Sequence, residues 1–328
     1  MSQNKLLNKI ILLTSLLLLV ACVATPTPTE VPVNPTEPKP SPTPTQIVSP
    51  TPEAVWTPEV IVSPIATEPA DTPEPTSTAE PLPPEETGIQ CIGARTAPDN
   101  TQDLIIQINL PRKAQAQTLA YFQEFARPCD AIGVLGRFTD PVSWRENMSQ
   151  LSTGLAFYSM PSLAEAKETA ETWTDTADWF AYEIVLSDHT PESEKSDPAE
   201  TSRQALEFAR AHNLAYMVTP GRPASRKYAA DLAQYADAYG LQAYGQMRDS
   251  PETFVEFVKS ISTRIRAVNP DILFFVAVST DLPTDVPEET YEIITRLLGE
   301  IDGVFIRISE QPESLEKLQT LVNLLRKE

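Results

Sequence analysis

One carboxylate sits inside a run that otherwise belongs in a protein core: Glu183, within 180–186, flanked by Tyr182 and Ile184. A buried charge is costly unless it is paired or used. Asp188 follows shortly after it. Two carboxyls facing one bond can divide the roles of acid and of base or nucleophile. Glu183 and Asp188 are therefore the candidate catalytic pair, with Asp249, Asp281 and Glu310 as other carriers of a second carboxyl. Similar apolar segments carry Arg137, Gln242, Gln246, Ser279 and Arg307. Guanidinium, amide and hydroxyl groups bind polar ligands, and Tyr158 offers a ring face; these six are the candidate ligand-binding residues. The only histidines are His189 and His212, and no CxxC pair exists, so no metal site is expected. No GxGxxG, P-loop or GxSxG motif occurs, and no cofactor is expected.

The elements that would position these residues alternate regularly from residue 103 onward. Short apolar, β-branched or aromatic runs predict strands over 103–109, 131–137, 153–158, 180–186, 214–219, 241–247, 272–279 and 303–308. Longer amphipathic stretches lie between them, with start signals such as Ser162 ahead of Glu165 and Pro287 at a helix opening. Asn213 and Gly240 stand where left-handed residues end helices. Strand–helix alternation implies a parallel sheet covered by helices. Eight units over 89–328 match an α/β fold of the (β/α)8 TIM-barrel type, with an open doubly wound sheet as the alternative.

In a barrel the face toward the helices is apolar, so polar strand residues turn inward. That places Gln107, Asn109, Arg137, Glu183, Gln242, Gln246, Ser279 and Arg307 in the interior, mostly at C-terminal strand ends where such barrels hold ligands. An ion pair of Glu183 with Arg137 or Arg307 and only a structural role is the competing reading. Thr219-Pro220-Gly221-Arg222 after the fifth strand reads first as a turn, with a backbone-amide cradle for an anion as the alternative.

Over about 103–310 the chain loosely resembles glycoside-hydrolase-type barrels, on the strand–helix pattern and the acid in the fourth strand. The resemblance implies a glycan ligand, with Trp179, Tyr158, Tyr182, Tyr216 and Tyr244 available to stack on sugars. Such barrels often carry two acids spaced by one residue in a strand, whereas Tyr182-Glu183-Ile184-Val185 has one. Three functions stay open: a glycan-active hydrolase, a non-catalytic barrel binding a glycan or other small extracellular ligand, and a scaffold.

The chain has 328 residues and a formal charge of -20, and most of its 32 prolines lie between Pro26 and Pro84. Lys5 and Lys9 precede an apolar run from Ile10 to Val20, too short to cross a bilayer as a helix. Leu19-Val20-Ala21-Cys22 resembles the lipobox of bacterial lipoproteins. The resemblance implies cleavage before Cys22, its acylation, and attachment to the lipid bilayer on the extracytoplasmic side of the cell membrane. An ordinary leader cut near Ala24, or an uncleaved anchor, is the alternative. Three segments follow: a signal peptide over 1–22, a disordered Pro/Thr-rich linker over 23–88, and the barrel over 89–328. The acidic balance repels phosphate backbones, so nucleic acid is not an expected partner. Cys91 and Cys129 are either a disulfide, suited to an oxidising exterior, or two buried thiols.

Overall fold

The computed structural model describes residues 91–92, 96–110, 115–136, 139–184 and 190–327. Cys22, the 23–88 segment, Arg137, Asp188 and His189 lie outside the described residues.

Eight parallel strands close into a barrel in sequence order: β1 (Ile105–Asn109), β2 (Ala131–Leu135), β3 (Leu155–Met160), β4 (Trp179–Tyr182), β5 (Ala215–Val218), β6 (Ala238–Leu241), β7 (Leu273–Ser279) and β8 (Gly303–Arg307). Helices follow the strands: α1 (Gln115–Phe125), α2 (Pro141–Met148), α3 (Leu163–Glu168), α4 (Glu192–Ser196), α5 (Pro198–Ala211), α6 (Arg222–Ala233), α7 (Tyr244–Asp249), α8 (Pro251–Arg266), α9 (Pro287–Thr295) and α10 (Pro312–Arg326). The domain is thus a (β/α)8 barrel. None of the described helices is long and apolar enough to cross a membrane.

Strand alternation sorts the core into two layers. Ile106, Ile108, Val134, Tyr158, Phe180, Tyr182, Tyr216, Phe274 and Val304 pack against the helices. Ile105, Phe157, Trp179, Met217, Phe275 and Phe305 fill the barrel. Even strands give way where odd strands carry large rings. A Cβ on Gly133 would lie 2.5 Å from the Phe157 ring, and one on Gly303 would lie 2.6 Å from Phe275.

The floor of the barrel is built on a fourfold repeat. Asp130, Asp178, Asp237 and Asp302 each stand immediately before an even strand. Each carboxylate accepts the backbone N–H of the second residue of the preceding odd strand: Ile106 at 2.7 Å, Ala156 at 2.7 Å, Tyr216 at 2.8 Å and Phe274 at 2.8 Å. Their own carbonyls accept from the first residue of the next odd strand: Leu155, Ala215, Leu273 and Ile105. Three carboxylates also hold an arginine. Asp130 takes Arg326 at 2.6 and 2.7 Å, Asp237 takes Arg210 at 2.6 Å, and Asp302 takes Arg266 at 2.9 Å. A disulfide joins Cys91 to Cys129, next to Asp130, and ties the segment ahead of β1 to the entry of β2.

Two local expectations need correction. The sixth strand runs over Ala238–Leu241, and Tyr244–Asp249 is helical rather than extended. Gly240 is a strand residue without positive φ; its missing Cβ makes room for Thr219, whose Cγ2 would lie 2.9 Å away. Asn213 does adopt the left-handed conformation after α5, with φ of 58°.

Candidate functional site at the strand-end mouth

The register that repeats at the floor also fixes what reaches the mouth. Counting from each floor aspartate, the fifth residue is Leu135, Glu183, Gln242 and Arg307 in turn. Each shares a strand face with barrel-filling residues such as Trp179, Ala181, Ala238 and Phe305. On the odd strands the equivalent upper layer is Asn109, Ser159, Thr219 and Ala277. None of these four is large, so the axis below the mouth is lined by short side chains.

Glu183 follows β4 directly and turns inward, while Tyr182 and Ile184 join the helix-facing core. Its backbone N–H donates to the Met160 carbonyl at 2.8 Å, which extends the β3–β4 pairing past the strand end. Its Oε1 accepts the Ser159 hydroxyl at 3.1 Å, and the residue is only 8% exposed. This is a nearly buried carboxylate that is hydrogen-bonded and faces the axis.

Arg307 stands on the wall opposite Glu183, since β8 and β4 are four strands apart in an eight-stranded ring. Its Nε lies 3.1 Å from Asp281 Oδ2, and its Nη1 donates to the Tyr244 hydroxyl at 2.6 Å. Asp281 is itself held by the Ser279 hydroxyl. Arg248 lies over the Tyr244 ring, 5.6 Å from its centroid, and pairs with Asp285 at 3.4 Å. Asp285 also accepts the Leu282 N–H at 3.0 Å. On the third side Arg222 donates to Gln246 Oε1 at 3.3 Å, and Gln242 Nε2 donates to the Thr219 carbonyl at 3.2 Å.

The structure thus brings Glu183, Gln242, Gln246, Ser279 and Arg307 to one end of the barrel. Gln246 arrives there on α7 and not on a strand. Tyr158 is not part of the mouth. It occupies the helix-facing side of β3, stacked 4.8 Å from Trp173 and edge-on to Trp144 at 4.9 Å. Burial, the largest cause, pushes its hydroxyl up to about 12, with help from the negative charges of Glu165 and Asp140. Tyr182 and Tyr216 are buried in the same layer, donating to Glu194 at 2.7 Å and pairing with Ser202 at 3.0 Å. Trp179 faces inward at the bottom of the barrel, 2% exposed. Of the five aromatics expected to stack on sugars, Tyr244 alone stands at the mouth.

Sequence reasoning misses Ser159, because the apolar run over 153–158 predicts a strand that ends at Tyr158; the strand runs on to Met160 and the same alternation turns Ser159 inward. It also misses Glu194, whose buried carboxylate accepts the Leu163 and Ala164 N–H groups at 3.1 Å each and the Ser162 hydroxyl at 3.2 Å. That carboxylate caps the N-terminus of α3 and fastens the segment after β4 to the barrel wall. Among the described residues, no group of three His, Cys, Asp or Glu side chains is placed to hold a metal ion.

No family model matches the chain, and no curated protein is similar to it in sequence. Its fold is similar to that of 3-keto-L-gulonate-6-phosphate decarboxylase from Vibrio cholerae, at 12% identity and a TM-score of 0.46, covering 68% of this chain and 97% of that one. It is similar to tryptophan synthase subunit alpha from Campylobacter jejuni, at 11% identity and 0.46, covering 69% and 95%. A third is the HpcH/HpaI aldolase from Desulfitobacterium hafniense, at 10% identity and 0.45, covering 66% and 90%. At these identities the likeness is one of fold alone. The expectation of a glycan-acting hydrolase is corrected on the geometry: four of the five aromatics expected to stack on sugars are core residues.

Proposed function

We propose that this chain is an exported, lipid-anchored protein whose barrel carries out proton transfer on a small polar molecule held at the strand-end mouth, with Glu183 as the acid–base group. The observation that carries the reading is the Glu183 carboxylate itself: 8% exposed, oriented by the Ser159 hydroxyl, and turned toward an axis lined by short side chains. A core needs no carboxylate there, whereas acid–base catalysis needs one in an oriented, water-poor position. Asp188 is the second carboxyl of this reading.

The test needs no prior substrate. A pool of small carbonyl and hydroxy compounds is incubated in D2O with the wild type or with Glu183→Gln, and deuterium uptake is read by mass spectrometry. Uptake by the wild type should fall about 100-fold or more in the variant. Equal uptake by both proteins removes Glu183 as the acid–base group.

In the same reading Cys22 carries the lipid and residues 23–88 form the tether that holds the barrel outside the cytoplasmic membrane. The lipobox and the apolar run before it support this, and so does the Cys91–Cys129 disulfide, a bond suited to oxidising compartments. Cys22→Ser should release the protein into the medium or leave it unprocessed. Normal cleavage with full membrane retention would remove the anchor.

A further inference from the structure

Arg307 is the side chain at the mouth whose geometry says most about a ligand. It is fastened twice, by Asp281 at Nε and by the Tyr244 hydroxyl at Nη1, and Tyr244 is flanked in turn by Arg248. A guanidinium carries five N–H donors. The pair on Nη2 has no hydrogen-bond partner among the described residues, and half of the side chain is exposed. A long side chain normally loses considerable rotamer entropy when it grips a ligand; here that cost is met within the protein, which is what preorganised recognition requires.

We propose that the mouth takes a small carboxylate, with its anionic group on the exposed guanidinium edge of Arg307 and a hydrogen-bond-donating end, hydroxyl or ammonium, toward Glu183. This rests on the proton-transfer reading above and names its substrate class. The polarity follows from charge. Arg307 and Glu183 stand on opposite walls, and the exposed guanidinium edge of Arg307 is where an anion is drawn. A planar carboxylate matches the fork of a guanidinium. A phosphate would call on backbone N–H groups at helix N-termini, but α9 and α10, the helices after β7 and β8, both open with proline, and the Ser309 N–H is taken by the Ser314 hydroxyl at 3.0 Å. Asp281 and Tyr244 are positioning residues in this scheme, acting on the ligand through Arg307.

The test uses the full-length protein in detergent and four probes: 4-hydroxybutyrate, γ-aminobutyrate, 1,4-butanediol and inorganic phosphate. Binding is measured by calorimetry and by ligand-observed NMR for the wild type, Arg307→Lys and Tyr244→Phe, with melting temperatures as the check on folding. At least one of the two carboxylates should bind saturably and more tightly than the diol or phosphate. Arg307→Lys should weaken it about tenfold by removing the fork, and Tyr244→Phe about threefold by loosening it, at unchanged melting temperature. Preference for the hydroxy acid or for the amino acid tells which donor faces Glu183, and either supports the proposal. Equal binding by Arg307→Lys, a diol or phosphate that binds more tightly than both carboxylates, or binding by none of the four overturns it. The proton-transfer reading has its own readout, since Glu183-dependent deuterium uptake would survive any of these failures.

Discussion

At the floor of the barrel the four even strands are entered through the same residue in the same geometry, and at the mouth Leu135 and Arg307 end β2 and β8 while Glu183 and Gln242 follow β4 and β6. The floor is repetitive because its task is the same at every repeat. The second residue of each odd strand carries an N–H that needs an acceptor, and the aspartate ahead of the next strand accepts it. The mouth is varied because nothing in barrel closure demands a carboxylate on β4 or a guanidinium on β8. In one architecture, sameness marks what holds the fold and difference marks what the fold presents to a ligand.

The sharpest way to break that contrast is at Asp130. It is 2% exposed and accepts from the Ile106 and Arg127 N–H groups, and both its oxygens accept from the Arg326 guanidinium. Asp130→Ala strands a buried guanidinium and two N–H groups, and should cost about 3–5 kcal/mol in urea unfolding followed by tryptophan fluorescence. A loss below about 1 kcal/mol would mean that the floor repeat is geometry without energetic weight.

Glu183→Gln gives the opposing measurement. Glutamine keeps an oxygen for the Ser159 hydroxyl, so stability at pH 7 should stay within about 1 kcal/mol of the wild type while deuterium uptake is lost. A loss as large as that for Asp130→Ala would make Glu183 one half of a structural ion pair and erase the distinction between the two ends.

Asp178 tests the repeat from within. Among the described residues it accepts from the Ala156 N–H but holds no arginine, unlike its three counterparts. Burial, the larger influence, raises its carboxyl above the usual range, and the Ala156 hydrogen bond opposes this. A carboxyl whose folded pKa lies above its unfolded one favours the fold when protonated. Its contribution is therefore present below the unfolded pKa and is lost as pH rises through the folded one. Asp178→Asn should accordingly cost less than about 1 kcal/mol at pH 7 and flatten the gain in stability on mild acidification, read as melting temperature between pH 4 and 7. Asparagine keeps an oxygen for the Ala156 N–H, so a cost at pH 7 equal to that for Asp130→Ala would show that the carboxylate charge itself, without an arginine, gives the floor its strength.

Much of this was legible in the sequence because it depends on local periodicity. Eight apolar runs alternating with amphipathic stretches specify a parallel sheet, and Glu183 between Tyr182 and Ile184 specifies its own inward direction. What failed depended on strand ends, where periodicity stops carrying information. Reading β6 three residues late put Gln246 on a strand and turned Gly240 into a cap, although its hydrogen is needed against Thr219. Ending β3 too early hid Ser159. The pairs Asp281–Arg307 and Tyr244–Arg307 join residues of different elements far apart in the chain, and no spacing announces them. The floor aspartates were visible as an acid before every second strand, but an acid at a strand entry reads as a turn residue until its N–H partner is known.

Tyr158 supplies the smallest effect and a clean separation between core and mouth. A mouth tyrosine in contact with water would ionise near pH 10. Tyr158 lies 1% exposed between Trp144 and Trp173, and its hydroxyl is pushed up to about 12. In a stopped-flow pH jump, with absorbance at 295 nm read before alkaline unfolding sets in, Tyr158→Phe should remove amplitude near pH 12 and none near pH 10. Carboxylate binding should be unchanged by the same substitution, because the ring it leaves behind still fills the space against Trp173. Lost amplitude near pH 10, or a ligand affinity that drops, would return Tyr158 to the mouth and with it the outward and inward faces assigned to β3.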